Sequence, residues 1–316
     1  MLLELPDSLK TPDPKDATRE IEIAGDWLET SVLFSGERVT KPEIADLLKD
    51  ESIFTDRAAA TVFVDDVWRT LRSRRLQQNA AGPFDFDYQD MHLSVRSWKN
   101  APAHAFCLLV SREGTKSKKK KKAKKRDKDY TEQGELFERL VEAACKGLWP
   151  SWQVHRTGWS KTTTRKLKNV VEGVAEVLCG NVGNIGRWNT KGAKEQGLDL
   201  IWYRPFGDQR GCFPAFFVQC ASGKHFKKKL TEPNEGIWDD LVSVVPRSLP
   251  RKAFATPFSF GKADFERHAI EGKCFLLDRM RLLSAVQLQS DWVKRELSRD
   301  LVKWVVPRIK KLKWRD

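Results

Sequence analysis

The chain has 316 residues, 40% hydrophobic and 32% charged, with a formal charge of +14. That length exceeds what one core usually serves, so two domains are expected, and no apolar run is long enough to span a bilayer. The acidic, Pro-interrupted start MLLELPDSLKTPDPKD lacks a secretory signal's basic and apolar regions, and six scattered cysteines form no Cys-x-x-Cys pair, so a cytoplasmic protein with reduced, buried thiols and no zinc site is expected.

Residues 1–112 read as a mainly helical domain. Thr40-Lys41-Pro42-Glu43 has a capping Thr, a Pro in the first turn and a Glu three residues on, which predicts a helix to about Leu48. A second helix, Ala58 to Arg75, carries Val62, Val64, Val67, Trp68 and Leu71 on one side and ends in Arg72, Arg74 and Arg75, which suit a helix C-terminus. Two helices and a following wing would make a DNA-binding winged helix. The residues favour a plain helical protein-interaction module, because no recognition-helix pattern separates the two. Ala103 to Ser111 closes the domain as a buried strand or short core helix.

Residues 113–130 form a Lys-rich linker. Between Lys116 and Lys128, ten of thirteen residues are Lys or Arg against one acid, so this tract holds +9 of the +14. Like charges at that density do not fold on themselves. The run Lys118, Lys119, Lys120, Lys121 and Lys122 is either a solvated tether or a salt-sensitive, non-specific contact to nucleic-acid phosphates.

Residues 131–316 read as an α/β domain. Leu136, Phe137, Leu140, Val141, Ala144, Cys145 and Leu148 recur at helical spacing over Thr131 to Trp149. At about 100° per residue, Glu138 falls just outside that apolar stripe, whereas Glu135 and Glu142 turn farther toward solvent. A short strand at Trp152 to Arg156 follows, then a helix marked by Val170, Val171, Val174, Val177 and Leu178 that ends near Gly180. The apolar runs 198–206 and 213–220 flank Gly207-Asp208-Gln209-Arg210-Gly211, which predicts a hairpin. With the turn centred on Gln209, paired positions sum to 418 and Asp199 stands opposite Gln219, about 5 Å away at Cβ. Two such oxygen donors on facing strands suit a hard divalent cation beside a phosphate. The five His residues show no ligand spacing.

Asp278, Arg279 and Arg281 lie among Leu276, Leu277, Met280 and Leu282 and would make an internal ion pair or a phosphate clamp. A last helix is expected from Ser290 to about Val306, ended by Pro307 and followed by the basic segment Arg308 to Arg315, suited to a phosphate backbone or an acidic partner. Trp238, Trp292 and Trp304 sit at helical positions among apolar neighbours, so they are expected in cores.

The helix acid Glu138, then Asp199, then Gln219 on the next strand resembles the PD-(D/E)XK restriction-endonuclease superfamily. More narrowly, Lys-x-x-Gly-x-Asp-x-x-x-x-Arg-Pro-Phe, Gln-Cys-Ala-Ser-Gly and Leu277-Asp278-Arg279-Met280-Arg281-Leu282 look like a group of bacterial restriction-endonuclease-like proteins associated with phage defence. The resemblance implies a mixed sheet flanked by helices and a domain that cuts DNA, with RNA open as a substrate. It implies Mg2+ or Mn2+ held by Asp199, Gln219 and Glu138, and further proteins of a defence complex as partners. The superfamily's Lys would fall at position 221, which here is Ala221. Lys224 is the preferred substitute and Lys194 the other. The rival reading is a nuclease-fold subunit without catalysis that binds nucleic acid or a partner.

Overall fold

The computed structural model describes residues 1–9, 17–78, 82–115, 124–157, 166–188, 196–245, 250–287 and 291–315, without the side chains of 113–115 and 124–129. Lys118 to Lys122 and Lys194 lie outside the described residues. The chain is mixed α/β and divides into two units: Met1–Ala123 with Pro257–Lys262 and Asp278–Asp316, and Lys124–Thr256 with Ala263–Leu277.

The first unit opens with α1 (Ala17–Ser35), β1 (Val39–Thr40), α2 (Lys41–Asp50) and α3 (Arg57–Gln77). Next come β2 (Phe84–Phe86), β3 (Asp90–Leu93) and α4 (Pro102–Thr115). Thr40 and Glu43 form the expected reciprocal capping box of α2, and Asp56 caps α3 by accepting from the Ala59 N–H at 2.8 Å. Val64, Val67, Trp68 and Leu71 are buried, but Val62 is exposed. Three strands pair in the order β1-β3-β2, with β2 and β3 forming an antiparallel hairpin after α3. Ala103 to Ser111 is helical, the second of the two readings, because α4 is packed against α1 and against a helix from the far end of the chain.

The second unit begins with α5 (Lys124–Leu148), which starts inside the tract that composition assigns to the linker. It continues with β4 (Gln153–Arg156), α6 (Leu167–Val177), β5 (Asn181–Val182), β6 (Leu200–Tyr203) and β7 (Ala215–Cys220). It ends with α7 (Glu235–Leu241), β8 (Val242–Ser243), β9 (Arg251–Ala255), α8 (Lys262–Gly272) and β10 (Phe275–Leu277). A mixed five-stranded sheet runs β10-β9-β7-β6-β4: β4, β6 and β7 are antiparallel neighbours, while β9 and β10 join parallel.

Helices flank both faces of the sheet. Ile201 and Phe217, opposite each other, pack under the apolar residues of α6 with Trp238 and Leu241. On the other face Trp202 stacks on Trp149 with centroids 4.1 Å apart, and Trp152, Phe216 and Phe275 join the aromatic layer beyond the end of α5. Period-two alternation along β6 and β7 sorts the two layers.

The chain then returns to the first unit through α9 (Arg279–Leu283) and α10 (Arg295–Ile309). Asp278–Asp316 therefore belongs with the N-terminal residues, not with the α/β unit as a single 131–316 domain would have it. Pro307 does not end α10: the helix starts later than expected, at Arg295, and runs through Pro307 to Ile309. The basic end is folded in, since Leu3 bridges Trp314 and Arg308 is buried with its guanidinium 3.5 Å from the Trp304 ring. Trp238, Trp292 and Trp304 are buried as expected. Cys107, Cys145 and Cys220 are buried, but Cys179 and Cys212 are at the surface. Among the described residues no helix is long and apolar enough to cross a membrane.

Asp278, 4% exposed, caps α9 by accepting from the Arg281 N–H at 3.0 Å. Burial raises its pKa to about 6, against the pull of the Arg281 N–H, Arg281 and Arg279. A carboxyl whose pKa rises on folding adds stability that is fully present below its unfolded pKa and is lost as pH climbs through the folded value, here about 6. Asn keeps the capping oxygen without the buried charge. Asp278→Asn is therefore expected to match the wild type near pH 4 and to exceed it by about 1–3 kcal/mol at pH 7. Denaturant titration at the two pH values checks this, and equal stability at pH 7 refutes it.

Candidate functional site

The hairpin register is the one the turn predicts. Leu200 faces Val218 and Tyr203 faces Ala215, the Asp199 N–H donates to the Val218 carbonyl at 3.0 Å, and the same offset puts Asp199 beside Gln219. Gly197, at φ +74°, makes the bend that brings the chain into β6, and Trp238 Nε1 holds that bend through the Gln196 carbonyl at 3.3 Å. Thr157 fixes the approach from the neighbouring strand: its hydroxyl donates to the Leu198 carbonyl and its N–H to the Asp199 carbonyl.

Asp199 and Gln219 are 5% and 1% exposed. Asp199 Oδ2 accepts from Gln219 Nε2 at 2.7 Å and from the Cys220 N–H at 2.6 Å. Gln219 Nε2 also donates to the Cys220 carbonyl at 3.0 Å, so two acceptors fix the amide's orientation. Gln219 Oε1 is consequently turned away and is buried without a hydrogen-bond donor.

Glu138 lies on α5, its side chain 16% exposed against 24% for Glu142, as the angular ranking predicts. Its carboxylate faces a cation, Arg156 of β4, with Arg156 Nη2 3.6 Å from Glu138 Oε2. Burial and the negative charges of Asp199 and Glu138 push the Cys220 thiol well above its ordinary pKa, so both carboxylates lie near that sulfur. The structure thus brings Asp199, Gln219 and Glu138 into one neighbourhood but gives Glu138 a guanidinium partner that the sequence did not reveal. Among the described residues no group of three or more His, Cys, Asp or Glu side chains is gathered for a metal ion.

Ala221 is buried in register with β9, its N–H donating to the Ala255 carbonyl at 2.9 Å. Lys224 is exposed in the turn after β7 and makes no hydrogen bond or ion pair among the described residues. Lys227, Lys228 and Lys229, in a single helical turn beyond it, are exposed as well. Gln133 of α5 anchors this turn, donating from Nε2 to the Ser222 carbonyl at 3.0 Å and hydroxyl at 3.2 Å. In sequence Gln133 sits beside the apolar stripe like any flanking amide, and its role appears only when α5 lies along the strand end. No family model, curated protein or solved structure matches this chain.

Proposed function

We propose that the chain is a metal-dependent DNA endonuclease of the PD-(D/E)XK restriction-endonuclease-like type, acting in bacterial defence against phage together with other proteins. One observation carries the reading: Gln219, on the strand facing Asp199, presents a buried amide oxygen with no donor, which suits a cation. The mixed sheet, antiparallel through β4, β6 and β7 and parallel through β9 and β10, supports the fold assignment. Exposed Lys224, Lys227, Lys228 and Lys229 follow β7 directly and suit a phosphate backbone.

The residues fit Mg2+ or Mn2+ through Gln219 Oε1, with Asp199 beside it supplying negative charge and holding the amide by Oδ2; Glu138, matched with Arg156, is not needed as a ligand. When bound, the ion would supply Lewis acidity toward a phosphate oxygen and would lower the pKa of water beside it. Lys224, on its flexible stem, would neutralise charge developing on the phosphate. Gln is a neutral donor, so the site holds its cation more loosely than an Asp/Glu pair until a phosphate adds its own charge.

One observation favours a nuclease-fold subunit without catalysis: Ala221 stands where the superfamily's Lys falls, buried in the strand ladder. For the first unit, the β2–β3 hairpin after α3 supports a winged-helix arrangement, and its helix cations Arg57 and Arg69 are already paired with Asp46 and Asp66, which favours a protein partner over DNA. Cleavage of supercoiled, linear and single-stranded DNA by wild type and Asp199→Asn, with and without Mg2+, tests the nuclease. Cleavage that requires both Mg2+ and Asp199 supports it; DNA binding without cleavage by the wild type selects the inactive subunit.

A further inference from the structure

We infer that Glu232 is a further metal ligand of this site, and that a divalent cation sits between its carboxylate and Gln219 Oε1, above Gly197. The inference rests on the nuclease reading for its purpose, but its geometry stands on three observations of its own.

The first is the Gln219 amide oxygen, in a side chain 1% exposed, which has no donor although its amide is fixed by Asp199 and the Cys220 carbonyl. A buried acceptor left without a partner costs about 1–3 kcal/mol, so this oxygen calls for one.

The second is Gly197. A Cβ on this residue would lie 3.1 Å from Gln219 Oε1, 3.1 Å from Glu232 Oε2 and 2.8 Å from Glu232 Cβ. Two oxygens from separate parts of the chain thus approach one point beside Gly197, where a side chain at position 197 would crowd Glu232.

The third is Glu232 itself. It is half-buried, and its carboxylate makes no hydrogen bond or ion pair among the described residues. A carboxylate and an amide oxygen held near one point without a donor repel, and a positive charge shared by them removes the conflict. Carboxylate plus amide carbonyl is the donor set that Mg2+, Mn2+ and Ca2+ take. Asp199 acts beside them by holding Gln219 Nε2, which leaves the amide oxygen as the atom near the Gly197 position that Glu232 Oε2 also approaches.

Glu232 escapes motif reading because it follows β7 by twelve residues, past the Lys turn, where a lone Glu before a Pro signals nothing.

The test titrates the full-length protein with Mn2+ by calorimetry and by the electron paramagnetic resonance signal of free Mn2+. Wild type is expected to bind Mn2+, Glu232→Gln to bind about ten- to a hundredfold more weakly, and Gln219→Leu to weaken similarly. Glu235→Gln, an exposed neighbour, should leave affinity unchanged. Because the Glu232 carboxylate has no partner among the described residues to lose, Glu232→Gln should melt with the wild type, so a changed affinity is not a folding defect. Affinity within twofold of wild type in Glu232→Gln, or no Mn2+ binding by the wild type, overturns the inference. If Glu232→Gln keeps both Mn2+ affinity and DNA cleavage, the Glu232 site fails and the nuclease stands. If Glu232→Gln loses Mn2+ affinity while the wild type cuts no DNA, the site stands and the nuclease fails.

Discussion

Arg279→Ala is expected to destabilise the first unit by about 3–5 kcal/mol, the usual cost of removing one partner from a buried ion pair. Arg279 is fully buried, bonded to Asp26 and Ser259 and 3.3 Å from Glu29. Arg74 sits in the same cluster, 3.0 Å from Asp26 and 2.8 Å from Glu29, and bonds Glu22. Two guanidiniums thus face three carboxylates away from water. Burial alone would raise the Asp26 pKa, yet Arg279 and Arg74 hold it down at about 2; at Glu29 burial wins and the pKa rises. Without Arg279 both acids face desolvation with half their compensation. Arg279→Lys keeps the charge but not the fork that reaches Asp26 and Ser259 together, so it should also lose stability, though less. Urea unfolding followed by tryptophan fluorescence, with Trp27 of α1 in the same unit, reads the effect. An unchanged midpoint for Arg279→Ala would sink it.

Asp199→Asn is expected to lower Mg2+-dependent cleavage by about a thousandfold or more while keeping the fold. Asn retains an oxygen able to accept from Gln219 Nε2 and the Cys220 N–H, and loses the negative charge. Asp199→Ala differs in kind. It strands two buried N–H donors at about 1–3 kcal/mol each, so its inactivity would mix a lost ligand with a loosened strand end. Single-turnover cleavage together with thermal melts separates the two. Wild-type cleavage by a folded Asp199→Asn would remove Asp199 from the chemistry.

What could be read from the sequence was local. The capping box at Thr40 and the turn residues at Gly207 to Gly211 act within a few positions of themselves, so α2 and the Asp199–Gln219 register followed directly. Helix α1 left no such trace. Its buried face carries Glu29, and a reading that sends carboxylates to solvent cannot find a stripe holding an acid that Arg74 and Arg279 make tolerable from 45 and 250 positions away. For the same reason the sequence places Arg74 only at a helix C-terminus and Glu138 only at the edge of an apolar stripe, with no sign of their partners. Of the candidate site, the strand pair was legible because alternation and turn chemistry determine it. The Arg156 partner, the Gln133 anchor and Glu232 depend on packing between elements and were not.

The first unit is discontinuous in the chain: α1 to α4 precede the α/β unit, and α9 and α10 follow it. Synthesis proceeds from the N-terminus, so Asp26 and Glu29 leave the ribosome some 250 residues before Arg279 arrives to neutralise them. During that interval the α/β unit, Asp199 and Gln219 included, has been made in full while the first unit still lacks its second guanidinium and the helix that packs on α4. The order of emergence therefore favours the α/β unit as the first to mature, with the first unit closing around its own charges only after Arg279 has emerged.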